Sequence, residues 1–152
     1  MARPVQQKFR HLRAAYRSGL EATVAAALAA AGVAFQYETI KVPFTQPEKQ
    51  RKYCPDVILE NGIVCELKGL FVADDRAKHL LVKAQYPDLD LRLVYSNPNA
   101  KLNKGSATTY ADWSAKHGFK YAKKAIPTEW IVEPPNEASL AVLRSLGWKP
   151  GA

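Results

Sequence analysis

The spacing of hydrophobic positions changes several times along this 152-residue chain, and each spacing predicts an element. From Ser18 to Ala31, Leu and Val recur every four residues, which predicts a helix that Gly32 ends. Residues 34–41 alternate aromatic and polar side chains, which predicts a strand. The same rules predict a hairpin over residues 55–68, a helix over 74–85, a strand over 89–95, a short helix over 109–116 and a helix beginning at Asn136.

This order of elements predicts an α/β fold in which helices flank a mixed β-sheet. The length suits a single domain over residues 1–152. Two segments stand apart from the periodic pattern. Residues 42–54 carry prolines and charges that favour an extended connector between two lobes over a turn inside a sheet. Residues 1–17 hold five basic and no acidic residues, so they are either an arm that orders on a partner or a solvated tail.

The charge balance points to a polyanionic partner. The chain has 22 Lys and Arg against 14 Asp and Glu, a net charge of +8, which favours nucleic acid first and an anionic membrane second. A membrane-spanning role is not expected, because no apolar run approaches the roughly 18 residues needed. The N-terminus lacks the apolar core of a signal peptide, so we expect a cytoplasmic protein, in the host cytoplasm if a phage encodes it. Cys54 and Cys65 are expected to be structural thiols.

The hairpin carries the candidate chemistry, as Pro55-Asp56 followed by Glu66-Leu67-Lys68. Because side chains alternate along a strand, Glu66 and Lys68 share a face. A two-residue turn at Asn61-Gly62 would place Asp56 on the opposite face. A three-residue turn that includes Glu60, with Gly62 in the left-handed region, would instead pair Asp56 with Glu66. Only the longer turn gives one uninterrupted apolar face, made of Val57, Leu59, Ile63, Cys65 and Leu67.

Two adjacent carboxylates repel each other unless a cation or proton lies between them, and hard oxygen ligands suit Mg²⁺ or Mn²⁺. A metal held by Asp56 and Glu66 could activate water and stabilise the charge that builds up in phosphodiester hydrolysis. Lys68 could orient or deprotonate that water, or place positive charge beside a phosphate oxygen. The alternative is an exposed hairpin face on which Glu66 and Lys68 form an ordinary ion pair.

Glu21 has two possible roles. Ser18-Gly19-Leu20-Glu21 has the form of a capping box, in which Glu21 closes the helix start. A carboxylate one turn into a helix can also reach a metal held on a neighbouring sheet. The three histidines show no ligand spacing and are unassigned. The lysines between residues 101 and 124 form either a phosphate-binding face or a solvated surface.

Several motifs resemble the phage endonuclease I family in order and spacing, from about Tyr16 to Glu133. They are far more specific than the catalytic pattern alone. They are Arg17-Ser18-Gly19-Leu20-Glu21, Val42-Pro43-Phe44, Tyr53-Cys54-Pro55-Asp56, Asn61-Gly62-Ile63, Glu66-Leu67-Lys68-Gly69-Leu70, Asp74-Asp75-Arg76, Lys78-His79-Leu80-Leu81 and Lys116-His117-Gly118.

This resemblance implies a restriction-endonuclease-like nuclease of the PD-(D/E)xK superfamily. It implies resolution of four-way (Holliday) DNA junctions by paired nicks that leave 5′-phosphates. It also implies a Mg²⁺ site, with Mn²⁺ able to substitute, formed by Asp56, Glu66, the Leu67 carbonyl and Glu21, beside the catalytic Lys68.

The resemblance further implies an intertwined, domain-swapped homodimer. Residues 42–54 would then be the bridge, and each site would combine Glu21 of one chain with Asp56, Glu66 and Lys68 of the other. Two other functions stay open: a junction-binding module without catalysis, and a sequence-specific restriction-type nuclease.

Overall fold

The computed structural model describes residues 19–46 and 49–151. The basic arm and the predicted helix cap at Ser18 lie outside these residues. The helices are α1 (Gly19–Ala30), α2 (Ala73–Gln85), α3 (Tyr110–Lys116), α4 (Thr128–Ile131) and α5 (Glu137–Ser145). The strands are β1 (Phe35–Tyr37), β2 (Val42–Gln46), β3 (Lys49–Tyr53), β4 (Val57–Leu59), β5 (Ile63–Lys68), β6 (Asp90–Tyr95) and β7 (Tyr121–Lys123).

Five strands form the central sheet in the order β1-β4-β5-β6-β7. β1, β4 and β5 pair antiparallel, whereas β5, β6 and β7 run parallel. The predicted mixed sheet with flanking helices is therefore confirmed. β7 and α4 were not predicted, because segments of three and four residues are too short to show a period. In the described part of the chain, no helix has the length and apolar character needed to cross a bilayer.

The hairpin adopts the register that the three-residue turn requires. Val57 pairs with Cys65 and Ile58 with Val64, so the loop consists of Glu60, Asn61 and Gly62. Gly62 has a φ of 93°, a left-handed conformation that a residue with a Cβ rarely adopts, and its N–H bonds the Leu59 carbonyl at 3.0 Å. The two-residue turn is thereby excluded.

Helices cover both faces of the sheet. The apolar face predicted for the hairpin is buried against α1 and α4, through Val24, Leu28 and Trp130. On the other face, Ile58 and Val64 are buried with side chains of α2, α3 and α5. The β4–β5 hairpin is therefore enclosed on both sides, and its charged residues near one end lie next to a rigid core.

Two sequence predictions for residues 34–41 were wrong. The predicted strand 34–41 ends at Tyr37, because Glu38 takes a positive φ of 49°. Gln36, assigned to the polar side, is only 5% exposed and donates a 2.8 Å hydrogen bond to the Lys149 carbonyl.

The predicted extended connector is also different. Its two halves, β2 and β3, pair with each other as antiparallel strands, from Val42 opposite Tyr53 to Gln46 opposite Lys49. Val42, Phe44 and Tyr53 belong to the same buried cluster as Val82 of α2. Alternate residues of β2 are buried, and their burial stabilises the strand conformation. Pro43 alternates with these buried residues and is exposed.

Candidate active site

The predicted acid pair forms at one end of the hairpin. Asp56 immediately precedes β4, Glu66 lies near the end of β5, and the hairpin register continues to place them opposite each other. Asp56 is 8% exposed and Glu66 is 4% exposed. The Leu67 N–H donates to Asp56 Oδ2 at 2.9 Å, which ties the Asp56 carboxylate to β5.

Glu66 is held by two side chains, one on each carboxylate oxygen. The Tyr53 hydroxyl donates a hydrogen bond to Oε2. The Lys68 ammonium lies 3.6 Å from Oε1. Lys68 Nζ also lies 3.3 Å from Asp75 Oδ2 at the start of α2, so the ammonium is held between two carboxylates. The predicted grouping of Asp56, Glu66 and Lys68 therefore exists in the folded chain.

Glu21 reaches this site from α1. It is 8% exposed, and the Tyr37 hydroxyl donates to its Oε2. Carboxylate oxygens of Glu21, Glu38 and Asp56 all lie within 4.8 Å of one another, a spacing that one cation can span. Glu21 and Asp56 come together within a single chain.

Glu38 is an acid of the site that the sequence did not reveal. The β1–β4 register pairs Tyr37 with Val57, so Glu38 comes next to Asp56, and its N–H bonds the Asp56 carbonyl at 3.2 Å. Three acids, Glu38, Asp56 and Glu66, thus come from three neighbouring strand segments at one level of the sheet. The pairing of β1 with β4 was the information needed to find Glu38.

The site opens into a cavity of about 390 Å³ with mostly polar walls. Besides the acids, four lysines line the cavity: Lys41, Lys52, Lys68 and Lys78. Positive groups around a cluster of acids suit a phosphate that approaches a carboxylate-bound cation.

Both acids of the hairpin carry raised pKa values. Burial is the main cause of a pKa of about 8 for Asp56, and the negative charge of Glu66 raises it further, more than the Leu67 N–H lowers it. Burial also raises the pKa of Glu66, and this effect exceeds that of the positive charge of Lys68, which lowers it. Buried carboxylates with too little positive charge to balance them fit a hard divalent cation.

The remaining sequence assignments concern residues other than these acids and Lys68. His79 is fully buried in the core, stacks on Phe71, and has a pKa lowered chiefly by burial, as expected for a packing residue. Cys54 and Cys65 are free thiols, as predicted. The role of the Leu67 carbonyl as a ligand, and that of the lysines beyond residue 100 in DNA binding, stay predictions.

Comparison with known proteins identifies the family. The family model for phage endonuclease I matches residues 1–149. Endonuclease I of Escherichia phage T7 is 48% identical over 135 residues, which cover 89% of this chain and 91% of the relative. Endodeoxyribonuclease 1 of Enterobacteria phage T3 is 48% identical over 123 residues, 81% of each chain. The chain therefore belongs to the phage endonuclease I family and is a nuclease.

Proposed function

We propose that this nuclease is a structure-selective DNA endonuclease that resolves four-way junctions by Mg²⁺-dependent phosphodiester hydrolysis, with paired nicks that leave 5′-phosphates. The observation that carries the proposal is the buried pair of Asp56 and Glu66, with Lys68 held beside it. The names of the T7 and T3 relatives support DNA as the substrate.

Asp56, Glu66 and Glu21 are the side chains that would hold the cation, and the Leu67 carbonyl is a further candidate. A bound Mg²⁺ supplies Lewis acidity and lowers the pKa of a coordinated water. Tyr53 and the Leu67 N–H fix the two hairpin carboxylates before substrate arrives. Preorganisation of this kind avoids reorganisation cost during the reaction.

Lys68 is placed to act on the phosphate. Its ion pairs with Glu66 and Asp75 hold the ammonium beside the acids, with 16% of the side chain exposed. From there Nζ can donate hydrogen bonds to a phosphate oxygen or to the attacking water. In either role we expect the loss of the ammonium to lower the rate of the chemical step far more than it lowers DNA affinity.

Junction selectivity is the finer part of the proposal. A net charge of +8 favours contacts with phosphates, which report the path of the strands more than the base sequence. A protein that reads strand path can distinguish a branched from a linear duplex.

A nicking assay tests the activity. A synthetic four-way junction and a linear duplex of matched sequence are incubated with the protein, with Mg²⁺ and with a chelator. We expect Mg²⁺-dependent nicks in the junction only, and their loss in Lys68→Ala with junction binding retained. Tight junction binding that is indifferent to Mg²⁺ and to Lys68→Ala would indicate a binding module instead. Cleavage of the linear duplex at one defined sequence would indicate a restriction-type nuclease.

We further propose that the active form is a domain-swapped homodimer. The β2–β3 register leaves two residues between strands that pair five residues deep. The same ladder can form between the β2 strand of one chain and the β3 strand of another. Such an exchange would carry α1 and β1, and with them Glu21, to the partner chain. Two related sites would then suit the two nicks that resolution of a junction requires.

Subunit mixing tests the shared site. Glu21→Ala and Asp56→Ala chains are unfolded together, refolded as a mixture and compared with each variant refolded alone. If Glu21 acts across the dimer, the heterodimer has one intact and one doubly damaged site, and single-strand nicking recovers. If Glu21 acts within its own chain, both sites of the heterodimer are damaged and nothing recovers. Light scattering on the protein without substitutions gives its oligomeric state.

A further inference from the structure

Each carboxylate of the hairpin pair accepts a hydrogen bond on one of its two oxygens. Asp56 Oδ2 accepts the Leu67 N–H at 2.9 Å. Glu66 Oε2 accepts the Tyr53 hydroxyl, while Oε1 lies toward Lys68. These hydrogen bonds therefore leave a cation one oxygen of each residue, Asp56 Oδ1 and Glu66 Oε1, the latter beside Lys68, although four carboxylate oxygens are present.

Ligand number separates the two common hard divalent cations. Mg²⁺ requires a near-octahedral shell with short bonds and takes carboxylates through one oxygen each. Ca²⁺ takes roughly six to eight ligands, and carboxylates often bind it through both oxygens. A site that withholds the second oxygen of its carboxylates favours Mg²⁺ by ligand count.

Tyr53 is fixed firmly enough to enforce this restriction. The side chain is 3% exposed, and its ring meets the His79 ring edge-on with centroids 5.3 Å apart. The Lys78 ammonium lies 5.3 Å from the Tyr53 ring centroid on the cavity side. With the ring packed in this way, the hydroxyl stays on Glu66 Oε2 unless the core rearranges.

We infer that Tyr53 is a positioning residue that confines Glu66 to one metal-binding oxygen and thereby sets the preference of the site for Mg²⁺ over Ca²⁺. The inference rests on the proposed metal-dependent function. Tyr53 does not contact the cation; it acts through Glu66. Removing its hydroxyl frees Oε2 and gives the site a two-oxygen carboxylate.

Calorimetric titration with each metal alone tests the inference without any assay of cleavage. The dissociation constants of Mg²⁺ and Ca²⁺ are measured for the full chain and for Tyr53→Phe. We expect the ratio of Ca²⁺ to Mg²⁺ affinity to rise roughly tenfold in the variant, the factor that one hydrogen bond to a charged group accounts for. A ratio that stays the same overturns the inference.

Tyr95→Phe is the matched control. Tyr95 is also a buried tyrosine, and its hydroxyl bonds Ser114 Oγ at 2.7 Å in the core. Loss of the Tyr95 hydroxyl should lower the melting temperature, as loss of any buried, hydrogen-bonded hydroxyl does. It should leave the ratio of Ca²⁺ to Mg²⁺ affinity unchanged. An equal change of ratio in both variants shows a general loosening of the fold and contradicts a specific role for Tyr53.

A crystal of the unmodified protein soaked in Mn²⁺ covers the case in which Tyr53→Phe does not fold. Anomalous scattering locates the ion. Coordination by Glu66 through Oε1 alone, with Tyr53 still on Oε2, supports the inference, and coordination through both oxygens overturns it. A protein that binds none of these metals would instead refute the proposed metal-dependent function, which separates the two failures.

Discussion

The two ends of the central sheet hold their acidic groups in opposite electrostatic surroundings. At the start of β6, Asp90 bonds Arg92 at 2.9 Å, and Glu133 bonds the same guanidinium at 2.6 Å. Arg92 is 2% exposed and also lies over the Trp130 ring. At the end of β5, Asp56 and Glu66 face each other, with Lys68 as their neighbouring cation. Because β5 and β6 run parallel, these clusters occupy opposite ends of the sheet.

The pKa values follow this difference. Burial alone would raise the pKa of Asp90, yet hydrogen bonds and charge from Arg92 outweigh it and hold the value below its usual range. The hydrogen bond from Arg92 likewise lowers the pKa of Glu133. At the end of β5, burial and the negative charge of Glu66 raise the pKa of Asp56 to about 8. The charges of the Asp90 end are therefore balanced within the protein, whereas those of the Asp56 end are left for the proposed metal ion to balance.

The largest expected effect comes from neutralising the Asp56 end. Asp56→Asn keeps an oxygen for the Leu67 N–H but removes a metal-binding charge, so we expect nicking to fall by about 10³-fold or more. The metal-free variant should nevertheless be more stable at pH 7 by about 2 kcal/mol, because folding no longer has to protonate or desolvate this carboxylate. Junction nicking and urea unfolding measure the two effects. A less stable variant would contradict this view of the acid pair.

Breaking the Asp90 end should have the opposite outcome. Arg92→Met leaves Asp90 without its cation at a partly buried position, and we expect a loss of about 3 kcal/mol in the free energy of unfolding. Activity per folded molecule should change little, since the cluster lies at the far end of the sheet. Arg144→Met is the matched control, because its 3.9 Å pair with Glu137 is exposed and should cost less than about 0.5 kcal/mol. Thermal melting of both variants makes the comparison.

The two ends should also respond to pH with opposite signs. The raised pKa of Asp56 means that the folded protein binds more protons than the unfolded chain between pH 4 and 8, so its contribution to stability falls as pH rises through that window. The lowered pKa of Asp90 gives stability that is lost as pH falls below about 4. Melting temperatures of the metal-free protein should therefore decline from pH 5 to 8, by the equivalent of about 1–2 kcal/mol. Saturating Mg²⁺ should remove the decline, and a slope that Mg²⁺ leaves unaltered would contradict the assignment.

The grouping of Asp56 with Glu66 could be predicted from sequence because the information that specifies it is local. Alternation along residues 55–68 and the need for a left-handed residue at Gly62 together select one register, and that register pairs Asp56 with Glu66. The Asp90 end could not be predicted in this way. In the sequence, Arg92 is a charged residue within an apolar strand, with no local sign of a partner. Its partner Glu133 is 41 residues further along the chain.

The β2–β3 segment and Glu38 show the same limit. The prolines of residues 42–54 favoured an extended connector. The strand becomes evident only from the burial of Val42 and Phe44 in the folded chain. Glu38 lies beside Asp56 because β1 pairs with β4, a contact between segments about 20 residues apart. Nothing in the local pattern of residues 34–41 specifies that partner.

Glu38 therefore provides the finest test of how the Asp56 end is built. If its carboxylate contributes to the charge that holds the cation, Glu38→Gln should raise the Mg²⁺ concentration for half-maximal nicking by about fivefold, with the rate at saturating Mg²⁺ nearly unchanged. Glu60→Gln makes the same charge change on the exposed hairpin turn, at the other end of β4, and should shift the Mg²⁺ requirement by less than about twofold. Equal shifts in the two variants would mean that Glu38 acts only through net charge. A larger shift in Glu38→Gln than in Glu60→Gln would extend the metal-binding acids to the end of β1, whose pairing with β4 the local sequence does not specify.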